Sequence, residues 1–127
     1  MADMTATASA LGRRYVAALG AKDPEALAAV LHPEIDFRGM TPRKFWEASD
    51  PAGVVAIVFG SWFEPHDHLD ELVLLEGDAF ADREQLRFRF RGRGPDGPML
   101  VEQQAYLAER DGLIGWMRIV CSGQRPP

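Results

Sequence analysis

Residues 50–75 have the sequence DPAGVVAIVFGSWFEPHDHLDELVLL, and the spacing of their apolar side chains changes at Pro65. Before Pro65 the spacing is helical, and Asp50-Pro51 is a typical helix start, with a capping side chain followed by a proline that needs no N–H partner. The residues that share one helical face are Val54, Ile57, Val58 and Trp62. After Pro65 the spacing shortens to two, which indicates strands. The stretch therefore separates a helical first half from a stranded second half.

Two further helices are predicted upstream of this stretch. The first has inward-facing residues spaced by three and four positions, namely Leu11, Tyr15, Ala18 and Leu19. Asp23-Pro24 repeats the cap-and-proline start and opens a short second helix, which Pro33 ends. Residues 35–39 alternate and predict a strand, and residues 41–49 are expected to form a connection.

Four strands are predicted after residue 68, near Leu69–Leu75, Arg83–Arg91, Leu100–Ala108 and Leu113–Ser122. The turn signals between them are Gly77-Asp78, Pro95-Asp96-Gly97 and Asp111-Gly112. Strands that follow each other through tight turns are antiparallel. We therefore expect one α+β domain over residues 1–127, with residues 1–8 and 123–127 loosely ordered. Three N-terminal helices would pack on a curved, mainly antiparallel sheet, in a cone-shaped α+β barrel with one apolar pocket.

The composition limits the partners and the compartment. The formal net charge is -5, which opposes binding to phosphate backbones, so we expect no nucleic-acid partner. The longest apolar stretch, around residues 53–63, is too short for a membrane span, so we expect no membrane partner. Cys121 is the only cysteine, which excludes an intramolecular disulfide and favours a reducing, cytoplasmic location.

Residues 14–37 carry the motifs RYV, KDPEAL, LHP and IDF, and residues 101–123 carry the motifs VEQQAY, DGLI, MRI and CSG. In these opening and closing motifs the chain resembles the nuclear transport factor 2-like superfamily and, within it, the SnoaL-like group. The resemblance implies the cone-shaped fold, a small apolar ligand or substrate in a central pocket, and a homodimer joined through the outer sheet face. The superfamily contains isomerases, cyclases, dehydratases, hydrolases and non-enzymatic binding proteins, so the fold does not fix one activity.

Ketosteroid isomerase is a distant relative whose site can be compared position by position. The resemblance places its first-helix tyrosine, an oxyanion donor, at Tyr15. Its aspartate base falls on Gly39, which cannot take a proton. Its second oxyanion donor falls on Gln104, whose amide can donate a hydrogen bond but cannot act as an acid. One role is kept, one is lost and one is altered.

The register of the last hairpin decides which side chains face the pocket, because a slip of one residue exchanges the two faces of a strand. A two-residue loop at Asp111-Gly112 would place Gln104 opposite Ile119 and Glu102 opposite Cys121. This register would turn both polar side chains inward.

The hairpin at Pro95-Asp96-Gly97 allows two registers. A three-residue loop would bring the apolar set Leu86, Phe88 and Phe90 to the face of Glu102, whereas a two-residue loop would bring Arg87, Arg89 and Arg91 there, with Arg91 opposite Glu102. We prefer the first register, because the helices need an apolar surface to pack on. The arginines would then lie on the outer face, near Trp116 and Arg118.

Four residues are candidates for catalysis: Tyr15, Glu102, Gln104 and His66. Tyr15 could donate to a ligand carbonyl or an oxyanion, or could be a core tyrosine. Glu102 could act as an acid or base if burial raises its pKa, or could form an ion pair with an arginine. Gln104 could orient a carbonyl, or could bond to the backbone. The residues expected to line the pocket are Phe37, Phe59, Trp62, Phe88, Phe90, Tyr106, Ile119 and Cys121.

His66 and His68 would share a face if they lay in a strand, and could hold a metal with a third ligand from elsewhere. No further histidine or cysteine has a recognisable ligand spacing, so we expect no metal and no cofactor. His66 is instead a candidate acid–base group at the pocket mouth, or part of a solvated loop. Cys121 is expected to be a small buried residue, unless a nearby base activates its thiol.

Three functions of different class fit these residues. The first is a cofactor-free isomerase, cyclase, dehydratase or hydrolase that acts by acid–base chemistry on an apolar carbonyl or polyketide-like compound. The second is a non-catalytic protein that binds a small ligand, which the glycine at position 39 favours. The third is a dimeric interaction module. An enzyme requires ionisable groups that converge in the pocket, whereas a binding protein needs polar groups only to orient its ligand.

Overall fold

The computed structural model describes residues 8–127, so the expected loose order of residues 1–7 lies outside the described part. Three helices, α1 (Ala10–Ala21), α2 (Pro24–Ala29) and α3 (Pro51–Ile57), occupy the first half, and α3 continues into a single wide π-helical turn, Val58–Trp62. The strands are β1 (Leu31–Thr41), β2 (Lys44–Ala48), β3 (His68–Phe80), β4 (Arg83–Gly94), β5 (Gly97–Arg110) and β6 (Leu113–Cys121).

Side-chain caps fix the starts of the three helices. Ser9 accepts a hydrogen bond from the backbone N–H of Gly12, Asp23 accepts two, from Glu25 and Ala26, and Asp50 accepts one from Gly53. Each cap supplies a partner for N–H groups that the helix itself leaves unpaired. The starts predicted from the two Asp-Pro pairs are confirmed.

The six strands form one sheet in the order β2-β1-β6-β5-β4-β3. Every neighbouring pair is antiparallel except β1 and β6, which run parallel. The sheet is open, with β2 and β3 at its edges, and α1 and α3 pack against it. The expected class, three helices on a mainly antiparallel sheet, is confirmed. No helix in the described chain is long and apolar enough to cross a membrane.

Several boundaries differ from the prediction. The first strand begins at Leu31 rather than at residue 35, and residues 44–48 pair with it as a strand instead of forming a connection. The third strand passes through Gly77 and ends at Phe80, so the turn lies at Ala81 and Asp82. Gly77 has a different use, because a Cβ there would lie 2.6 Å from the Cα of Ala8. Because Gly77 has no side chain, the backbone at Ala8, just before α1, can pack directly against β3.

The C-terminal segment is anchored at one point, where the sequence predicted looseness. Arg125 and Leu100 exchange two backbone hydrogen bonds of 2.8 and 2.7 Å. This bridge continues the pairing along β5 beyond the end of β6.

A bulge in β6 makes the predicted register of the last hairpin wrong. Arg110 faces Leu113 across the Asp111-Gly112 loop, as the turn signal predicts. Farther on, Ala105 rather than Gln104 lies opposite Ile119, because Gly115 is an extra residue on β6. A Cβ at Gly115 would lie 2.5 Å from the Cβ of Arg110, so a glycine suits the bulge.

The preferred three-residue loop of the other hairpin is wrong. The loop has two residues and brings the arginines to the face of Glu102, as the alternative predicts, but the pairing is shifted by two residues. Its loop consists of Pro95 and Asp96, and Gly94 pairs with Gly97. Glu102 therefore lies opposite Arg89 instead of Arg91. The predicted faces of β4 are nevertheless confirmed: its apolar residues are buried beneath the helices and its arginines are on the outer face. The buried set is Leu86, Phe88 and Phe90.

Candidate functional site

The interior polar site begins with Tyr15, in the middle of α1. Its side chain is fully buried, and its ring meets the ring of Phe88 at 6.2 Å between centroids in an edge-on contact. Its hydroxyl has no hydrogen-bond partner among the described residues. Burial raises the pKa of Tyr15 well above its usual value, and the nearby Cys121 raises it further. Tyr15 is therefore a neutral hydrogen-bond donor, placed inward as predicted.

Gln103 supplies the second interior polar group. It lies on the inner face of β5, directly opposite Phe88 on β4 and Cys121 on β6. The residue is 1% exposed, and neither its amide nitrogen nor its amide oxygen has a hydrogen-bond partner among the described residues. Since Phe88 also contacts Tyr15, both polar side chains belong to one neighbourhood.

Trp62 occupies the space where a first-strand carboxylate would have to lie. A Cβ at Gly39 would come within 2.8 Å of two ring carbons of Trp62. The indole also meets Phe37 at 6.0 Å and Trp46 at 6.3 Å between ring centroids. Its Nε1 is buried and, within residues 8–127, has no hydrogen-bond partner. The wide turn at the end of α3 thus brings a third neutral donor into the interior.

A pocket of about 310 Å³ opens beside these groups, and we call it the mouth pocket. Cys121 lines it and is the cross-strand partner of the buried Gln103, which does not itself line the pocket. Other residues that line the mouth pocket are Trp46, Trp62, Phe63, Val101 and Gln124. The volume is at the lower end of the range for small-ligand pockets, roughly 300–1,000 Å³. The space suits a small, flat molecule.

Glu102 and Gln104 were expected to face inward, and this placement is wrong. Both lie on the outer face of β5, as neighbours of Arg89 and Arg87, because of the bulge at Gly115. Tyr106 lies on the same outer face, where its ring meets that of Phe80 at 5.3 Å instead of lining the interior. None of these three side chains can reach the inner face of the sheet.

Glu102 is the centre of an ion-pair network. It accepts hydrogen bonds from the Nε atoms of Arg87, at 3.0 Å, and Arg89, at 2.8 Å, while Arg87 also contacts Glu76. Partial burial raises the pKa of Glu102, but the hydrogen bonds and charges of Arg89 and Arg87 together hold it below its usual value. The carboxylate is ionised at neutral pH, which is the opposite of the raised pKa that an acid–base role requires.

His66 lies in the exposed turn before β3, and His68 is the first residue of β3. The neighbours of His66 are Glu64 and Asp67, and the two histidines do not share a strand face because His66 lies before β3. The turn directly follows Trp62 and Phe63 in the chain. The remaining expected ligand contacts Phe37, Phe88, Phe90, Ile119 and Cys121 are all buried beneath the helices, and Phe59 is half-buried against them.

Sequence reasoning missed Gln103, although the alternation along β5 contains a signal for it. One face carries four apolar residues and one polar residue, and the other carries Glu102 and Gln104. The first face is Met99, Val101, Gln103, Ala105 and Leu107. The more apolar set should face the helices. The turn signals were weighted above this pattern.

The arrangement can hold a hydrogen-bond acceptor in an apolar setting. Tyr15, Gln103 and Trp62 offer an O–H, an N–H₂ and an N–H, all neutral. Such groups orient a carbonyl or stabilise a negative oxygen. Of the described residues that line the mouth pocket, only Cys121 is ionisable.

No protein-family model matches the sequence, and no curated protein matches it. Solved structures share the fold. A candidate isomerase from Bacillus subtilis is 18% identical over 95% of this chain and 90% of that chain, with a TM-score of 0.74. A candidate SnoaL-like isomerase from Agrobacterium tumefaciens is 18% identical over 89% of this chain and 95% of that chain, with a TM-score of 0.57.

A third structure comes from Catenulispora acidiphila and has a ketosteroid isomerase-like fold in complex with trimethylamine. It is 13% identical, covers 91% of this chain and 88% of that chain, and has a TM-score of 0.67. Identities this low establish a shared fold. They confirm the SnoaL-like and ketosteroid isomerase-like fold that the sequence motifs implied, and they leave the activity open.

Proposed function

We propose that this chain, which has the ketosteroid isomerase-like fold, binds a small, flat and mainly apolar molecule that carries a carbonyl group. The ligand enters the mouth pocket and packs against Trp62 and Val101. Its carbonyl oxygen accepts hydrogen bonds from the amide of Gln103 and the hydroxyl of Tyr15. The observation that carries the proposal is that both groups are buried beside Phe88 and have no hydrogen-bond partner among residues 8–127.

Buried polar groups without partners are costly. Each unpaired buried donor costs about 1–3 kcal/mol, and most proteins avoid them. A ligand carbonyl would accept hydrogen bonds from these donors and so remove the cost. An apolar ligand of the same shape could not accept them, so the site would prefer the carbonyl ligand. The neutral donors therefore favour ligands with an acceptor.

Binding without chemistry fits the site better than acid–base catalysis. Glu102 is on the other face of the sheet and is held ionised by two arginines. Position 39 has no side chain, and the indole of Trp62 occupies its surroundings. The interior polar groups orient a ligand, but they provide no carboxylate or imidazole to move a proton.

Calorimetric titration with naphthyl methyl ketone tests the proposal, with ethylnaphthalene as a ligand of equal shape that has no acceptor. We expect the ketone to bind more tightly. Gln103→Leu should weaken ketone binding by about tenfold, the equivalent of one neutral hydrogen bond, and leave ethylnaphthalene unchanged. Equal effects on both ligands, or no binding of either, would contradict the proposal.

The second candidate is a cofactor-free isomerase, cyclase, dehydratase or hydrolase that uses the same two donors for an oxyanion. Two of the structural neighbours are named as candidate isomerases. The base would have to be Cys121, the ionisable group in the mouth pocket. Deuterium incorporation into the methyl group of the same ketone, followed by NMR, separates the two candidates. Exchange that Cys121→Ser abolishes would favour the enzyme, and binding without exchange favours the binding protein.

We also propose a homodimer through the outer sheet face. A groove of about 420 Å³ there exposes Met40, Phe45 and Val120, and Phe45 is 76% exposed. Arg38, Glu47 and Arg118 line the same groove, so the surface carries charges of both signs and suits a second copy of itself.

Light scattering after size-exclusion chromatography tests the dimer. Phe45→Ser should shift the chain toward monomers. Leu72→Ser is the control, since Leu72 is 40% exposed on β3, at the far edge of the sheet. A monomeric parent chain, or equal effects of both variants, would contradict the dimer.

A further inference from the structure

We propose that the turn formed by Glu64, Pro65, His66 and Asp67 binds a divalent transition-metal ion, with zinc as the best match. One ligand atom from each of Glu64, His66 and Asp67 lies within 4.8 Å of the other two. The Nε2 atom of His66 is 3.8 Å from Oε2 of Glu64 and 3.7 Å from Oδ1 of Asp67. One imidazole and two carboxylates thus converge on one point.

The buried carboxylate of Asp67 distinguishes this turn from an ordinary cluster of exposed acidic residues. Its side chain is 3% exposed. Its Oδ2 accepts a hydrogen bond of 3.0 Å from the backbone N–H of Glu64, but its Oδ1 is buried without a partner in the described chain. The distance of 3.7 Å between Asp67 Oδ1 and His66 Nε2 is too long for a hydrogen bond. A buried carboxylate oxygen needs compensation, and a cation held between it and the imidazole would provide it.

The distances are close to those of a metal site. Metal–ligand bonds of about 2.0–2.1 Å at a tetrahedral angle place two ligand atoms about 3.4 Å apart. The observed separations of 3.7 and 3.8 Å need only a small closure. The side chains of His66 and Glu64 are 52% and 47% exposed, so they can make this movement by rotation.

The backbone of the turn is already fixed. Lys22 Nζ donates to the carbonyl oxygens of Glu64 and Asp67 at 2.5 and 2.6 Å. This anchoring holds the two carboxylate residues in place before the ion arrives. The ammonium charge opposes a nearby cation, so we expect micromolar rather than nanomolar affinity.

A candidate fourth ligand atom lies on the same side as the buried carboxylate oxygen. A Cβ at Gly94 would lie 3.2 Å from Oδ1 of Asp67 and 3.0 Å from Oε1 of Gln124. The missing side chain of Gly94 leaves room between these oxygens, so Gln124 or a water molecule can complete the coordination. Imidazole and carboxylate together suit zinc, whereas magnesium and calcium prefer oxygen alone.

Calorimetric titration of the full chain with Zn²⁺, and separately with Mg²⁺, tests the site. We expect one Zn²⁺ per chain, with much weaker Mg²⁺ binding, and a higher Tm with Zn²⁺ because the ion binds only the folded chain. His66→Ala should reduce Zn²⁺ affinity by about tenfold or more, by loss of one ligand. His68→Ala is the matched control, because His68 lies two residues farther on and outside the cluster.

Asp67→Asn is the second variant, since an amide oxygen can still accept the hydrogen bond from Glu64 while the charge is lost. It should weaken Zn²⁺ binding as His66→Ala does; if circular dichroism shows that it does not fold, the half-exposed Glu64→Gln takes its place. Absence of saturable Zn²⁺ binding would overturn the proposal. So would an equal loss of affinity in His68→Ala, or in Cys121→Ser, which would place the ion elsewhere.

Discussion

Gly39 and Trp62 fit together so closely that a single methyl group at position 39 would lie 2.8 Å from the indole ring. The ring is 7% exposed and closes the interior beside the mouth pocket. The position that the sequence comparison linked to a catalytic base is therefore a packing position, and the indole of Trp62 fills the space that a side chain there would need.

Gly39→Ala should lower the free energy of unfolding by about 1–3 kcal/mol, the usual cost of overpacking. Gly60→Ala is the control, because a Cβ at Gly60 would meet no atom within 4 Å. Urea unfolding followed by circular dichroism measures both variants. The double variant Gly39→Ala, Trp62→Phe should recover part of the loss, and a Gly39→Ala protein as stable as the parent would show that Trp62 is not held at this site.

Tyr15→Phe should raise the free energy of unfolding by about 1 kcal/mol, because it removes a buried hydroxyl that has no hydrogen-bond partner among residues 8–127. The same variant should weaken binding of naphthyl methyl ketone. Tyr106 is half-buried on the outer face of the sheet, so the control Tyr106→Phe should change neither the free energy of unfolding nor ketone binding. Thermal unfolding with and without the ketone separates the two effects, and a destabilised Tyr15→Phe would mean that the hydroxyl is already satisfied in the unliganded protein.

Glu102→Gln should destabilise the protein at neutral pH by roughly 1 kcal/mol, since the part-buried carboxylate joins Arg87 and Arg89. The folded-state pKa of Glu102 lies below its ordinary value of 4.5, so this stabilisation is present above that value and disappears as the pH falls through the folded-state pKa. Urea unfolding at neutral and at acidic pH should show the difference between parent and variant shrinking in acid.

Glu71→Gln is the control for the same experiment. Its partner Arg91 is 58% exposed, as is Glu71 itself, so solvent screens the pair and the variant should show little change at either pH. A Glu102→Gln protein that behaves like Glu71→Gln would show that the network around Glu102 contributes nothing measurable.

Deletion of Gly115 should destabilise the protein far more than Gly115→Ala. Deletion removes the bulge, so β5 and β6 could pair only by turning Glu102 and Gln104 inward or by turning Ile119 outward. Gly115→Ala only forces a local adjustment near Arg110, at a cost of about 1–3 kcal/mol. Near-ultraviolet circular dichroism and unfolding measure both, and a deletion variant with native stability would contradict the assigned register.

The helical layer could be predicted from the sequence because its signals are local. Asp23 and Asp50 each cap a helix within three residues, and the following proline needs no partner for its nitrogen. The same holds for the inward position of Tyr15, which follows from helical spacing, and for the burial of Phe88 and Phe90, which follows from the alternation of β4.

The strand β2 was missed for a different reason. Exposed Phe45 and Glu47 alternate with half-buried Trp46 and Ala48, but the adjacent apolar residues Phe45 and Trp46 hide this alternation in the sequence. These residues form a strand because they pair with β1. Such pairing depends on both segments, so the pattern of one segment alone does not reveal it. The wide turn that aims Trp62 at Gly39 likewise depends on the partner strand rather than on residues 58–62 alone.

The sequence by itself determined the three helices, five of the six strands, the caps at Asp23 and Asp50, and the apolar faces of β4 and β6. Only the tertiary structure decided which face of β5 looks inward. The Asp111-Gly112 turn was predicted correctly, yet the single extra residue at Gly115 exchanged Glu102 and Gln104 for Gln103. A bulge costs little locally, but side chains alternate with a period of two, so one residue redirects every side chain beyond it. The interior therefore contains Tyr15 and Gln103, two neutral donors, and the carboxylate of Glu102 lies on the outside.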